Sequence, residues 1–217
     1  MKSSVRLLNI LFFSSQRNVM VQAERPSSSN LTIRRAYLDD IPRIRHCNLD
    51  NLPENYPDNF FQCHIESWPE LSLIAENVND NSFVGYALGR VEMAPLSNAF
   101  KVVYEPGQAH SSPSYIGHIT SIAVDKEYRG RGVAYTLMDQ IHQNMIDTHA
   151  VKEITLHCRV SNDAAIGLYR NKLKYEYDGT VPAYYADGEE ALVMTLQAKK
   201  AFSTIVQNEK KKIFLIF

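Results

Sequence analysis

Gly117-His118-Ile119-Thr120-Ser121-Ile122-Ala123-Val124, followed by Asp125-Lys126-Glu127-Tyr128 and then Arg129-Gly130-Arg131-Gly132-Val133-Ala134, is the stretch on which the fold turns. The first run predicts a strand over 117–124. Past the glycines, Leu137, Met138, Ile141 and Met145 recur at helical spacing, which predicts an amphipathic helix over 134–145. A strand, a turn of glycine and arginine and a helix start thus follow one another. Successive main-chain N–H groups at such a turn, with the positive end of a helix dipole behind them, form a receptor for a diphosphate. Glycine lets the backbone approach the oxygens closely, and Arg129 and Arg131 add charge. A Rossmann fingerprint would open early in a βαβ unit with a spaced acidic residue, and neither is seen here.

Outward from that stretch, periods of two and of about 3.6 alternate over 31–196, the pattern of a mixed α/β domain. Leu31-Thr32-Ile33 reads as an opening strand, and Asp39-Asp40-Ile41-Pro42 starts a helix that should run to about Cys47. Phe60, Phe61, His64 and Trp68 recur at helical spacing, and Phe60, Phe61 and Trp68 read as core residues. Residues 71–76 and 83–92 read as a hairpin across the polar turn 77–81. Residues 94–115 hold three prolines and no sustained period, hence a long loop. A strand over 153–160 has Ile154, Leu156, Cys158 and Val160 on one face. Ser161 or Asn162 then caps a helix with Ala165, Leu168 and Tyr169 on its apolar side. Strands around 175–180 and 191–196 close the domain.

The chain has 217 residues, 45% hydrophobic and 22% charged, which fits one folded domain with tails better than two domains or a disordered chain. A net charge of −1 removes the positive field that non-specific nucleic-acid binding draws on, so no direct nucleic-acid contact is expected. Cys47, Cys63 and Cys158 are an odd number without C-x-x-C spacing, which suggests neither a disulfide framework nor a zinc site, and a reducing compartment is the default. Residues 1–30 form an extension: up to Ala23 it carries Lys2, Arg6 and Arg17, no acidic residue and an apolar run too short to span a bilayer. It reads as a targeting peptide, a misassigned start upstream of Met20, or a disordered appendage. In the tail, 197–217, Lys210-Lys211-Lys212 precedes an apolar tip, a frayed end or a partner contact.

Arg129-x-x-Gly132-x-Ala134, in its strand-to-helix setting, resembles the turn with which the GCN5-related N-acetyltransferases (GNAT) hold the CoA pyrophosphate. Leu52-Pro53-Glu54-Asn55-Tyr56, Ser67-Trp68-Pro69, Gly117-His118-Ile119-Thr120-Ser121, Ser161-Asn162 with Leu168-Tyr169, and Tyr184-Tyr185-Ala186-Asp187-Gly188-Glu189 resemble, in order, the catalytic subunits of the NatA N-terminal acetyltransferases. The NatB subunits share the plan but differ at the first and last of these segments. The longer 94–115 loop and both tails depart from the family. The resemblance implies the GNAT α/β fold, a central twisted mixed sheet flanked by helices. It implies acetyl-CoA as co-substrate, without a metal, and protein or peptide N-termini as acceptors. Also implied are a large helical auxiliary subunit, docking on the helix over 60–68, and ribosome association. A cytoplasmic location, with a nuclear one beside it, is expected, or an organellar one if the extension is a transit peptide.

The chemistry follows from the substrate. An α-amino group has a pKa near 8, so about a tenth is neutral at pH 7 and a modest base suffices, with no enzyme nucleophile. Direct attack on the thioester then needs an N–H donor at the carbonyl oxygen and an acid near the departing thiolate. Glu54, in a proline-containing loop, is the leading candidate to attract the ammonium or take its proton through water. His157, on the polar phase of its strand, is a second acid/base candidate. By resemblance Tyr169 aims at the CoA sulfur, and Ile122, Ala123 and Val124 with Arg129, Gly130, Arg131, Gly132, Val133 and Ala134 hold the donor. Asn162 and Arg159 are candidates to contact CoA or cap the turn. Leu52, Pro53, Tyr56, Tyr184 and Tyr185 line the peptide groove by resemblance; since neighbours in an extended segment face opposite ways, the alternative for one of the two tyrosines is packing at the strand end. An acceptor lysine or small amine, and a non-catalytic CoA-binding subunit, are the rival readings.

Overall fold

The computed structural model describes residues 30–94 and 114–198. The 94–115 loop and both tails, apart from their ends, lie outside the described residues. In chain order the elements are β1 (Leu31–Arg35), α1 (Ile41–Asn51), α2 (Asp58–Ser67), β2 (Ser72–Asn77), β3 (Phe83–Met93), β4 (Tyr115–Val124), α3 (Val133–His149), β5 (Glu153–Arg159), α4 (Asp163–Gly167), β6 (Glu176–Val181) and β7 (Ala191–Gln197). They build a seven-stranded sheet in the order β1-β2-β3-β4-β5-β7-β6. Only β4 and β5 pair in parallel, as their crossover through α3 requires.

Two cores sandwich the sheet. Leu137, Met138, Ile141 and Met145 of α3 pack with Ile119, Val124, Ile154 and Leu156 on one face. Ile44 of α1 and Phe61 and Ile65 of α2 pack with Ile74, Tyr86, Leu88 and Ala123 on the other. Phe61 is fully buried, while Phe60 and Trp68 are half-buried at the margins.

Two irregularities of β4 open the sheet between these layers. Parallel pairing with β5 runs only from Ile116↔Glu153 to Ile119↔Leu156, after which the strands part. At that point Ser121 pairs with Leu88 and Ile119 with Gly89, so Thr120 is an extra, unpaired residue, a β-bulge. The bulge resets the side-chain phase. Ile119 faces α3, yet Ser121 and Ala123 face α1 and α2.

Local sequence fixes most boundaries. α1 runs to Asn51 rather than stopping near Cys47, because nothing breaks the helix until Leu52, which turns extended as the residue before Pro53. Asn48, in that extra turn, is fully buried. β5 ends at Arg159, and Val160 lies exposed just past it. Instead of one regular helix with Ala165, Leu168 and Tyr169 on a face, the short α4 widens into a π-turn over Leu168–Lys172, closed by Leu173 N–H donating to the Leu168 carbonyl at 3.0 Å. That extra residue in the turn buries Tyr169 against Tyr175, ring centroids 5.9 Å apart. Away from the cleft, Asp40 and Glu76 accept from Arg34 and Arg43 in a compact ion network. Burial would raise the Asp40 carboxyl, but its bonds to Arg34 and Arg43 outweigh that and hold it at about 2.

Candidate active site

The parting of β4 from β5 leaves a cleft with two halves that share Asn51, Leu52, Ile122, Asn162, Ala165 and Tyr169. The half on the α3 side encloses about 800 Å³ and is walled by Ile122, Ala123 and Val124 of β4 and by the whole turn from Arg129 to Ala134. Gly130 and Gly132 adopt φ of 75° and 83°, in the left-handed region that favours glycine, and a Cβ on either would meet nothing within 4 Å. The main chain is therefore bare towards open space at the N-terminus of α3, the geometry of an anion receptor. Thr136 N–H is already bonded to the Gly132 carbonyl, so α3 begins directly at the turn.

The arginines, expected to add charge at the turn, are also bonded within it. Arg129 donates from Nε to the Val124 carbonyl at 3.0 Å and from Nη2 to Asn51 Oδ1 at 2.7 Å, while Arg131 donates to the Glu127 carbonyl and lies over the Tyr128 ring. They brace the turn, because the end of β4 offers carbonyls that no neighbouring strand pairs. Their charge stays at the receptor, beside the bare main chain of Gly130 and Gly132. Asn162 caps α4 through Oδ1 to Ala165 N–H and lines both halves.

The half on the α1–α2 side encloses about 380 Å³. The loop between α1 and α2 brings Leu52, Pro53, Glu54 and Tyr56, β5 brings His157, and the β6–β7 turn brings Tyr184 and Tyr185. Both tyrosines face it, and neither packs away at a strand end, because Ala183 takes a left-handed φ of 48° and the segment is a tight turn instead of a strand. Tyr184 stacks on His157 at 4.6 Å, and Tyr185 lies edge-on to Tyr184 and under the Arg159 guanidinium.

Arg159 is the hub of this half. Its Nε and Nη2 donate to Glu54 Oε1 at 2.9 and 2.6 Å, and its Nη1 donates to Asp187 and Glu189. Its side chain lines this half and not the α3-side half, while its carbonyl closes the turn after β5 by accepting from Asn162 N–H at 3.1 Å. Burial pulls the guanidinium pKa down, but the three carboxylates more than offset this and raise it. Glu54 Oε2 has no bond among the described residues. Asn48 holds the same loop from below: Nδ2 donates to the Glu54 carbonyl at 2.9 Å and to Tyr86 Oη at 3.1 Å, and Oδ1 accepts from Tyr56 N–H at 3.4 Å.

Burial lowers the pKa of His157, whose Nδ1 is buried without a partner, and holds His118 down at about 4, so both rings are neutral at physiological pH. Burial raises the Tyr169 phenol, which keeps its proton at the junction of the two halves. All the residues singled out from sequence thus meet in one cleft. Sequence reasoning passed over Asn51 in the walls, and quoted His118, Thr120, Asp187 and Glu189 within matching segments without giving them a role in the site. The phase argument that found His157 on β5 would also have found His118, opposite Gly117 and Ile119, whereas Thr120 depends on a bulge that no pattern announces.

The bare glycine turn, the helix start and the phenol at the junction are a lining that suits a diphosphate-linked thioester such as acetyl-CoA, with Ile122 to Val124 and Arg129 to Ala134 the residues available to it. Comparison with known proteins agrees. Residues 41–175 match the Acetyltransferase (GNAT) family. The chain is 43% identical to N-alpha-acetyltransferase daf-31 of Caenorhabditis elegans over 164 residues, covering 76% of this chain and 81% of that protein. It is 39% identical to the N-terminal acetyltransferase A complex catalytic subunit ard1 of Schizosaccharomyces pombe over 175 residues, 81% of this chain and 88% of that one. Among solved structures it resembles Chaetomium thermophilum Naa20 in complex with a bisubstrate analogue, with 27% identity, a TM-score of 0.65, and 79% and 89% of the two chains covered. The chain belongs to the acetyltransferase (GNAT) family and, within it, to the acetyl-CoA-dependent N-alpha-acetyltransferases of the NatA catalytic-subunit type.

Proposed function

We propose that this chain transfers acetyl from acetyl-CoA to the free α-amino group of protein N-termini as the catalytic subunit of a NatA-like complex. One observation carries the choice of acceptor. Arg159 ties the α1–α2 loop to the β6–β7 turn through Glu54, Asp187 and Glu189, which closes the acceptor half into a groove walled by Tyr56, Tyr184 and Tyr185. Such a groove admits an extended chain end, where an open channel would suit a lysine of a folded surface.

The residues have separable tasks. Acetyl-CoA supplies an acyl group activated as a thioester. The unpaired edge of β4 past Ile119 keeps main-chain N–H groups available for the acyl oxygen. Glu54, through Oε2, attracts the incoming ammonium and takes its proton through water, and the neutral rings of His118 and His157 accept hydrogen bonds beside it. As the C–N bond forms and the C–S bond breaks, the Tyr169 hydroxyl donates to the departing thiolate. Exposed Tyr37, Leu38 and Leu49, next to α1, support docking of a large helical auxiliary subunit on this side. The surface of α2 that sequence favoured exposes mainly polar residues, Asp58, Asn59, Gln62 and Glu66 among them.

The test is an acetylation assay of the purified chain with peptides beginning Ser, Ala, Met-Asp, Asp or Glu and an α-blocked lysine peptide. Acetylation of free termini is expected, and Glu54→Gln and Tyr169→Phe should lose about 10²-fold or more in kcat while CoA affinity stays. Activity confined to the blocked lysine peptide would overturn the acceptor assignment.

A further inference from the structure

The hydrogens on two polar side chains in the acceptor half can be placed from their partners. His64 of α2 has Nδ1 2.9 Å from the Phe60 carbonyl and Nε2 3.3 Å from Thr120 Oγ1. A carbonyl only accepts, so Nδ1 carries the proton and, in the neutral ring, Nε2 is a bare acceptor. Thr120 Oγ1–H must then donate to Nε2. The hydroxyl hydrogen is used on the side of α2, and the oxygen, which lines the cleft, offers lone pairs alone. Burial lowers the His64 pKa, in keeping with the neutral ring.

The same reasoning applies one pleat away. Thr155 Oγ1 donates to the Gly117 carbonyl at 3.4 Å, so His118 Nδ1–H donates to Thr155 Oγ1 at 2.9 Å and His118 Nε2 is left as an acceptor. The β-bulge puts Thr120 on the α1–α2 side, and its hydroxyl has no other partner among the described residues. This floor therefore presents two fixed acceptors, Thr120 Oγ1 and His118 Nε2. It is complementary to a group that brings N–H donors, and it repels the lone pairs of a carbonyl or carboxylate.

Resting on the acceptor assignment made above, we propose that Thr120, oriented by His64, is a substrate-positioning residue that accepts a hydrogen bond from the α-amino group of the incoming peptide. Thr120 holds that group by geometry and transfers no proton.

The experiment uses the full chain loaded with CoA and titrates a Ser-starting peptide, calorimetrically, against its counterpart lacking the α-amino group. Thr120→Val, of nearly the same shape, should weaken the amino peptide about tenfold, as for loss of a hydrogen bond to a charged donor. It should leave the deaminated peptide and CoA unaffected, and Thr120→Ser should return to within about twofold of wild type. In turnover the loss should appear in the peptide KM more than in the KM for acetyl-CoA. His64→Phe releases the hydroxyl and should give part of the same loss, none of it additive with Thr120→Val. If Thr120→Val fails to bind CoA, His64→Phe and Thr120→Ser decide: wild-type peptide affinity in the first, or a tenfold loss in the second, overturns the proposal. Equal peptide affinity in Thr120→Val and wild type overturns it alone, whereas a wild type that binds no free-terminus peptide overturns the acceptor assignment with it.

Discussion

Asn48→Ala should destabilise the protein and loosen its acceptor loop together. Asn48 is fully buried and is the one side chain that reaches both the Glu54 carbonyl and the Tyr56 N–H among the described residues. Alanine leaves both main-chain groups without a partner, while Tyr86 Oη keeps its 2.8 Å contact with Ser121. An orphaned buried polar group costs about 1–3 kcal/mol. The Glu54 carbonyl, bonded at 2.9 Å, should lie within that range and Tyr56 N–H, at 3.4 Å, at its foot, so the sum is about 2–4 kcal/mol. For a chain of this size that lowers Tm by roughly 5–15 °C. Urea unfolding followed by Trp68, the single tryptophan, measures the loss directly. Because Glu54 rides on the released loop, kcat/KM for the peptide should fall while the KM for acetyl-CoA holds, since Asn48 does not line the donor half. A loss under about 1 kcal/mol with unchanged peptide kinetics would refute the claim that this side chain sets the loop.

Gly132→Ala forces a side chain into a left-handed φ of 83°, at a cost of about 1 kcal/mol, and puts a methyl in the donor cradle; acetyl-CoA KM should rise more than peptide KM in steady-state kinetics. Arg159→Lys keeps the charge but loses the fork that holds Glu54 through two nitrogens and still reaches Asp187 and Glu189, so peptide kcat/KM should drop at least about tenfold with no rescue by the charge alone. Acid stability should fall in two windows, read by urea midpoints against pH. His118 stays neutral down to about 4 in the fold against 6.5 unfolded, so the unfolded state binds the extra proton and stability is lost as pH drops from 6.5 towards 4; His118→Asn should flatten that limb. Asp40, held at about 2 against 3.8, contributes about 1–2 kcal/mol above that range after screening at its part-exposed arginines, lost between about pH 4 and 2, and Asp40→Asn should remove that slope.

What could be read from sequence was whatever repeats or punctuates. Strand phase put Leu156 and Cys158 in the core and His157 opposite them, and the α3 stripe of Leu137, Met138, Ile141 and Met145 was plain from its spacing. The glycine turn identified the donor half because left-handed φ and bare backbone are properties of glycine itself. Interactions between distant segments were not legible. Arg159 meets Glu54 across 105 positions of chain and Asp187 across 28, and no local pattern says that a strand-end arginine is shared among three acids. The partners of Arg129 were equally hidden, since a cation beside a phosphate receptor looks the same in sequence whether it reaches outward or braces the turn. The π-turn after α4 and the left-handed Ala183 escaped because each rests on a single residue's backbone, too small a signal to shift a periodicity.

Those small departures from regularity are where the site lies. Had β4 continued in register with β5, its edge amides would be spent on a neighbour and no cleft would exist. Without the bulge at Thr120, either Ser121 or Ile119 would face the wrong core, and the acceptor floor would lose its hydroxyl to the α3 side. Regular α-helix past Gly167 would shift Tyr169 by a residue's rotation away from the junction, and an extended segment at Ala183 would turn Tyr184 or Tyr185 out of the groove. The sheet and its two cores supply the stability that holds these exceptions in place. The Arg34–Asp40–Arg43–Glu76 network ties β1, α1 and β2 on the far side of the fold, remote from the cleft whose residues bear charge for another purpose. The far-side network stabilises the fold without lining the cleft, which is why Asp40→Asn should alter acid unfolding without touching peptide kinetics, whereas Asn48 and Arg159, bonded to the acceptor loop itself, serve stability and chemistry together.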